Sequence, residues 1–476
     1  MARKTVIAVD LGAESGRVMA VHYDGHRFEL EELHRFSNPV TEVRGTLYWD
    51  ILHLWRHIQQ GIEAGKRYQP LSIGVDTWAI DFVLLDAQGN LLSNPVMYRD
   101  QRTAGMMETV FSRVPKRDVF AQTGIQFMPI NTLYQMMSLV ETESPLLVHA
   151  QTFLTIPDLV NYWLTGNAVC EFTNATTTQM LDPTTGTWAK PMLEQLDIPT
   201  HILPKIVPPG TQLGEYEGIA VIAPATHDTG SAVAGVPTQR ADYAYISSGT
   251  WSLVGVEVPD AVINDQAFEA NVTNEGGLDG HYRLLKNVMG LWILQQCRAR
   301  WAEAGHAYSY ADLVSLAQET EPLQFVIDVD DSRFLTAGDH PQHIQDWCQE
   351  HNQPVPQTQG EIVRCVLESL ALKYQTVLDS IQAIARQSVG AIHIVGGGTQ
   401  NELLNQFTAN ATGKTVIAGP SEATVLGNAS VQFIANGELT SIAEARGVIA
   451  GMGVTRTYHP QDNPAWQRAS HKLFKR

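Results

Sequence analysis

Two short loops in this chain have the composition of a phosphate cradle. The first, Gly12-Ala-Glu-Ser-Gly-Arg17, joins the apolar runs Val6–Val9 and Val18–Val21. The second, Ser247-Ser-Gly-Thr250, joins Tyr243–Ile246 to Leu253–Val254. Turns built from Gly with Ser or Thr expose backbone N–H groups and hydroxyls, and these hold phosphate oxygens. Asp10 closes the first apolar run. A carboxylate there either holds Mg²⁺, directly or through water, or bonds to its own turn. Glu14 should not face a phosphate, so it is expected to point to solvent or to be neutralised by Arg17. The second loop suits a β- or γ-phosphate, or is simply a polar hairpin. Two such loops half a chain apart suggest a duplicated fold gripping one polyphosphate between its halves.

Acid–base chemistry has one main candidate. Ala225-Thr-His-Asp-Thr-Gly-Ser231 sets His227 and Asp228 among small residues. Asp228 could take a proton from a hydroxyl that attacks a γ-phosphate, with His227 bonding the substrate. The competing reading makes Asp228 a helix N-cap. Asp76-Thr-Trp-Ala-Ile-Asp81 combines an aromatic ring, a hydroxyl and two carboxylates. Carboxylates accept paired hydrogen bonds from a diol, so the segment suits a sugar, or is a core Trp between solvated acids. Lys286, Asn287 and Gln295 surround a Met-Gly-Leu-Trp helix start. Gly396-Gly-Gly398 follows an apolar strand and precedes a helix, where a ligand can approach the backbone. Gly413-Lys-Thr415 is not a P-loop, because Thr408 stands where the motif needs its first glycine.

The elements that must position these groups alternate strand with helix. Strands are expected at Thr5–Val9, Arg17–Val21, Ser72–Val75, Phe82–Asp86 and Ala391–Val395. Apolar spacing predicts helices at Ile51–Ala64 after an Asp50 cap, at Pro157–Leu164 ending at Gly166, and at Glu361–Ala385. A further helix is expected around Leu403, Leu404 and Phe407. Gln342–Gln359 reads as a polar loop or insertion, and no clear periodicity follows residue 457. This pattern is α/β, with two domains of mixed sheet: 1–239, 240–456 and a tail at 457–476.

Composition fits a globular chain of 476 residues, which buries roughly three quarters of its unfolded surface without metal or disulfide staples. A net charge of −18 and the lack of any basic run exclude nucleic acid as a partner. There is no signal peptide and no apolar stretch of membrane-spanning length, so a cytoplasmic protein without a membrane partner is expected, as a monomer or weak dimer. Cys170, Cys297, Cys348 and Cys365 are expected to be free thiols, although Cys348 and Cys365 flank one loop and could approach each other.

Asp-x-Gly-x-x-Ser at 10–15, His-Asp-Thr at 227–229, Ser-Ser-Gly-Thr-Trp-Ser at 247–252 and Gly-Gly-Gly-x-Gln-Asn at 396–401 together resemble the FGGY carbohydrate kinases, within the actin/hexokinase/Hsp70 ATPase superfamily. DTWAIDFVLLDAQG at 76–89, ATHDTGSAV at 225–233 and the segment 274–295 are most similar to the rhamnulokinase branch, and the likeness runs from Thr5 to about Ala435. The resemblance implies two RNase H-like domains with ATP and Mg²⁺ in the cleft between them. By position, Asp228 matches the catalytic base and Asp10 the carboxylate associated with Mg²⁺. Ala13, Glu14, Ser15, Gly16, Arg17, Thr250, Gln295 and the glycines Gly396, Gly397 and Gly398 match ATP-contacting positions. His227, Thr229 and Asn287 match sugar contacts, beside Asp228, Ala79 and Asp81. The sequence departs from the pattern at Ala79, where relatives often carry Gly; a methyl group there would crowd the sugar or alter which ketose fits. The expected activity is phosphorylation of L-rhamnulose at O1 by ATP. Alternatives are a kinase for L-fuculose, a xylulose or a ribulose, and an actin-like nucleotide switch or sugar sensor without catalysis.

Overall fold

The computed structural model describes residues 3–461 and 464–474. Packing divides the chain into two compact units. The first takes the chain up to Gln239 together with Glu257–Leu284 and Ala423–Gly453; the second takes Arg240–Val256, Leu285–Glu422 and the chain from Val454.

In the first unit, strands β1 (Lys4–Leu11) and β2 (Ser15–Tyr23) form the expected hairpin, with β3 (Phe28–Ser37) antiparallel beside β2. Helix α1 (Ile51–Gly65) starts at Asp50, whose carboxylate accepts the His53 N–H at 3.0 Å, and buries Leu54, Ile58 and Ile62. Strand β4 (Ser72–Thr77) lies parallel to β1. Helix α2 (Ile156–Thr165) stops at Gly166, whose φ of 77° suits a residue without Cβ. Helix α3 (Phe172–Thr177) precedes β5 (Gln212–Tyr216) and β6 (Ile219–Ile222), and the short helix α4 (Asp228–Ala234) follows. The sheet order is β5-β6-β4-β1-β2-β3, with β6 parallel to β4.

The second unit repeats this topology. Strands β7 (Tyr243–Ser248) and β8 (Trp251–Val258) form the second hairpin, and β9 (Tyr282–Met289) flanks it. Helices α5 (Trp292–Glu303), α6 (His340–Glu350) and α7 (Gln359–Ala385) follow. Strand β10 (Ala391–Val395) runs parallel to β7, helix α8 (Glu402–Thr412) comes next, and β11 (Thr415–Ala418) runs parallel to β10. Strand β12 (Arg456–Tyr458) is antiparallel to β11, so six of the seven strands of this sheet, in the order β9-β8-β7-β10-β11-β12, mirror the first sheet from β3 to β5.

Helix α9 (Ala423–Ala435) packs in the first unit, although family-like sequence order would group it with the second. Val425, Leu426, Ala429 and Phe433 join Val6, Ala8, Met19 and Val21 in one core. Its polar side also binds the sheet: Gln432 Nε2 donates to Ile7 O at 3.0 Å, and Ser72 Oγ donates to Gln432 Oε1 at 2.7 Å. Gly427 packs against the Ser231 carbonyl of α4, where a Cβ would overlap.

Two sequence expectations need correction. Residues 340–350 are the helix α6, not loop: Asp339 caps it, and Ile344, Trp347 and Cys348 form a buried stripe that the surrounding Gln and His residues obscure. Beyond residue 457 lie the end of β12 and helix α10 (Pro464–Phe474), where Trp466 packs on Phe407 with ring centroids 5.3 Å apart. Asp462, Asn463, Lys475 and Arg476 of the expected tail lie outside the described residues. All four cysteines are free and buried, and Cys348 and Cys365 do adjoin, thiol to thiol. Among the described residues no helix is long and apolar enough to cross a membrane.

Candidate active site

Three segments meet at one end of the first unit's sheet: the hairpin turn after β1, the turn after β4, and the approach to α4. Trp78 N–H donates to Leu11 O at 3.1 Å, and Thr77 N–H to Thr226 O at 2.9 Å. Parallel strands bring their C-terminal ends, and the groups carried there, to one edge. Asp10, Asp76 and Asp228 are gathered in this way.

Asp76 is fully buried, and its Oδ2 accepts Asn428 Nδ2 at 2.5 Å while Oδ1 has no protein partner. Burial pushes its pKa well up, and the charge of Asp10 adds to this. Asp228 is the first residue of α4 rather than its cap. Its Oδ1 accepts the Thr229 N–H at 2.6 Å and the Thr229 hydroxyl at 3.2 Å; Oδ2 carries no protein hydrogen bond, and 31% of the side chain is exposed. Although the tip is open, desolvation of the carboxylate raises its pKa; the neighbouring His227 opposes this and Asp10 reinforces it. One oxygen fixed and one free is the arrangement a general base needs.

The hairpin turn itself is closed by Gly12 N–H donating to Ser15 O at 2.9 Å. Glu14 and Ser15 are exposed, Ala13 is half-buried and Gly16 is buried. Arg17 reaches Asp10 Oδ2, from Nε at 2.9 Å and Nη2 at 2.8 Å.

The segment Asp76–Asp81 differs from the expected diol site. Asp81 is 1% exposed; its Oδ2 accepts both Trp49 Nε1 at 2.6 Å and Trp78 Nε1 at 2.9 Å, and Oδ1 accepts Gln135 Nε2 at 3.2 Å. Burial lifts its pKa to about 6 against these donors. Asp76 is thus engaged through Oδ2 and Asp81 through both oxygens, and Asp81 holds the indoles in place. Ala79 O accepts the Asp81 N–H at 3.0 Å, closing a tight turn in which Ile80 takes φ 69°. A β-branched residue in the left-handed region is strained, and such strain collects at functional sites. Thr132 Oγ1 holds the Ile80 carbonyl at 2.6 Å. Ala79 itself has no positive φ, so its backbone does not require the family's glycine.

Sequence reasoning missed the groups that hold the His227–Asp228 segment. Glu171, fully buried, accepts four donors: Thr173 N at 2.9 Å, Thr173 Oγ1 at 2.6 Å, Thr226 N at 3.0 Å and Thr226 Oγ1 at 2.7 Å. Thr173 Oγ1 in turn accepts the His227 N–H at 3.2 Å. Glu275 and Arg283 lie against the His227 ring. For Glu171 a lone charge between an apolar and a threonine-rich stretch was the available signal; Glu275 and Arg283 lie in a polar, glycine-rich segment with Asp279 and gave none.

The second unit brings together its own nominated set. Gly290 N–H and Trp292 N–H donate to Thr250 O at 3.1 and 3.2 Å, tying the hairpin turn to the start of α5. Gln295 Nε2 lies 3.5 Å from Thr250 Oγ1, and its buried Oε1 has no protein partner. Gly396 has φ 84°, and a Cβ on Gly398 would overlap Ser248, whereas Gly397 is exposed and open. Asn287 is half-buried on β9. Lys414 donates to Val389 O at 2.7 Å and Gly413 ends α8, which agrees with rejection of a P-loop.

Comparison with known proteins follows these lines. Residues 5–224 match the N-terminal domain, and residues 244–436 the C-terminal domain, of the FGGY family of carbohydrate kinases. The chain is 43% identical to a rhamnulokinase of Bacteroides thetaiotaomicron, covering 98% of each chain. It is 43% identical to a rhamnulokinase of Oceanobacillus iheyensis over 93% of this chain and 96% of the relative. In fold it resembles the crystal structures of gluconate kinase from Lactobacillus acidophilus (TM-score 0.78, 17% identity, 100% and 96% coverage) and of Plasmodium falciparum glycerol kinase with ADP (TM-score 0.77, 16% identity, 99% and 97% coverage).

Proposed function

This chain belongs to the FGGY family of carbohydrate kinases, and from that premise we propose that it transfers the γ-phosphoryl group of ATP to O1 of L-rhamnulose, with Asp228 as the general base. The acceptor is suggested by the relatives named rhamnulokinase. The observation that carries the mechanism is the carboxylate of Asp228, with Oδ1 fixed by Thr229 and Oδ2 free. Oδ2 takes the proton from the sugar hydroxyl as its oxygen attacks the γ-phosphorus, and the bond to the β-phosphate oxygen breaks to leave ADP. Little covalent help is needed, so positioning and charge neutralisation do most of the work. Thr229 bonds the sugar, His227 stands behind Asp228, and Ala79 lies on the strained turn that Asp81 supports. Within the second unit, Thr250, Gln295, Gly397 and Gly398 offer phosphate donors, and Ala13 to Arg17 are the phosphate-type turn of the first unit.

The donor set also fits a divalent cation. Burial, with the charge of Asp10 added, raises the pKa of both Asp76 and Asp228 against the opposing Arg17 and His227, and Asp76 Oδ1 is buried without a partner, so acidic groups outnumber the cations that meet them. Asp10 would hold Mg²⁺, directly or through water, and the ion would offset phosphate charge.

The test is a coupled ADP-release assay over L-rhamnulose, L-fuculose, D- and L-xylulose and L-ribulose, with wild type and Asp228→Asn. L-rhamnulose should lead in kcat/KM by about tenfold or more, and the variant should lose about 10²-fold or more in kcat while still binding nucleotide. Preference for another ketose would move the acceptor assignment; near-normal turnover of Asp228→Asn would remove the base.

A further inference from the structure

His227 is 5% exposed, and its ring has a different neighbour at each nitrogen. Nδ1 lies 3.1 Å from Arg283 Nη2 and 3.2 Å from Glu275 Oε2; Nε2 lies 3.4 Å from Asp228 Oδ1. The guanidinium is fully buried, bonded to Glu275 Oε2 through Nη2 at 3.1 Å and to Gly276 O through Nε at 2.9 Å. These contacts all lie within the first unit.

The donor inventory decides where the ring proton sits. A guanidinium N–H only donates, so a proton on Nδ1 would set two N–H groups against each other at 3.1 Å. Glu275 does not need the ring as a donor, because Arg283 already supplies it. On the other side, a bare Nε2 lone pair would face a carboxylate oxygen, whereas Nε2–H would donate to it. At Nδ1 the Glu275 oxygen, 3.2 Å away, competes for the proton, but it is already bonded to Arg283 Nη2, whose own N–H can only donate to a bare Nδ1. Burying a guanidinium is a costly way to hold a loop, and apolar packing would do that as well. Its geometry instead serves the imidazole.

We propose that Arg283, with Glu275 as its counter-ion, is a positioning residue that keeps the His227 proton on Nε2, so that the ring donates to Asp228 Oδ1 and leaves Oδ2 to receive the sugar proton. Glu275 orients the guanidinium, Arg283 sets the tautomer, and the consequence for turnover rests on the role proposed above for Asp228. His227 then keeps the same proton while the carboxylate changes state. The device resembles the outer partners of metal-bound histidines, where one nitrogen's hydrogen bond fixes what the other presents.

Full-length protein carrying ¹⁵N-histidine, without sugar or nucleotide, tests this by long-range ¹H–¹⁵N correlation. His227→Gln identifies the ring among the sixteen histidines by the signal it removes. Wild type should show the proton on Nε2 and a bare Nδ1. Glu275→Gln should keep that tautomer, since the arginine remains. Arg283→Met should lose it and lower kcat by about tenfold or more, with a smaller change in the sugar KM. A wild-type ring protonated on Nδ1 overturns the proposal, as does Glu275→Gln moving the proton there, or Arg283→Met leaving tautomer and kcat unchanged. If Arg283→Met does not fold, the wild-type and Glu275→Gln spectra still decide. Because the spectra need no turnover, a failure of Asp228 as base would appear separately, in the Asp228→Asn kinetics.

Discussion

Arg17 donates from both Nε and Nη2 to a single oxygen of Asp10, its direct partner across the β1–β2 hairpin. The pair links the phosphate-type turn to the carboxylate assigned to the metal, so the turn and the ion site are not independent. Removing the carboxylate should weaken the ion more than the nucleotide. Asp10→Asn is expected to raise the Mg²⁺ concentration for half-maximal activity by about tenfold, comparable to the loss of one ligating partner. A free-Mg²⁺ titration at fixed ATP reads this; an unchanged midpoint would take Asp10 out of the metal site.

Asp158 gives the fold a pH dependence of definite sign. It is 1% exposed, burial pushes its pKa to about 7, and Thr155 Oγ1 and the Glu171 N–H bond to it. Below about pH 4 both folded and unfolded states hold the proton, and the group has no effect. From there to about pH 7 the unfolded chain releases it and the folded chain keeps it, so stability falls as pH rises, by on the order of 4 kcal/mol in all. Asp158→Asn should therefore show a flatter decline in urea midpoint between pH 4.5 and 7.5, conditions chosen to span about that interval. Parallel curves for the two proteins would contradict the assignment.

Gly397 and Gly398 should respond differently to the same methyl group. At Gly398 a Cβ overlaps Ser248, at the fixed end of β7; at Gly397 it meets nothing within 4 Å. Overpacking of this kind costs about 1–3 kcal/mol. Gly398→Ala should lower Tm, whereas Gly397→Ala should keep the wild-type Tm and raise the KM for ATP. Equal thermal stability of the two variants would show that the Ser248 contact yields freely.

Glu171→Gln probes the frame behind the His227–Asp228 segment. Four donors converge on the carboxylate, and an amide can accept at only one of its two ends. Leaving buried donors unmatched costs about 1–3 kcal/mol. Since Thr226 and Thr173 fix the His227 backbone, kcat should fall along with the unfolding free energy. Full activity in a destabilised variant would confine Glu171 to folding.

Much of this protein was settled by local sequence. Both hairpins, the Asp50 cap of α1, the long helix α7 and strand β10 follow from side-chain spacing and capping, which act over a few residues. Asp228, Thr250 and the glycines at 396–398 stood out because small and polar residues interrupt apolar runs there. Local pattern failed where the polar and apolar signals mixed, as in α6, where His340 is buried along with Ile344, Trp347 and Cys348 among polar neighbours. Tertiary structure alone decided the rest. Asp76 and Asp81 look like exposed sugar ligands in sequence, yet distant Asn428, Trp49 and Gln135 occupy them. Helix α9 crosses back to β1 from more than 400 residues away, since its apolar face completes a core that nothing nearby in sequence could fill. Arg283 reaches His227 across 56 residues. A buried charge must find an opposite charge or a hydrogen-bond partner, and which partner it finds depends on where the folded chain returns, which no local spacing encodes.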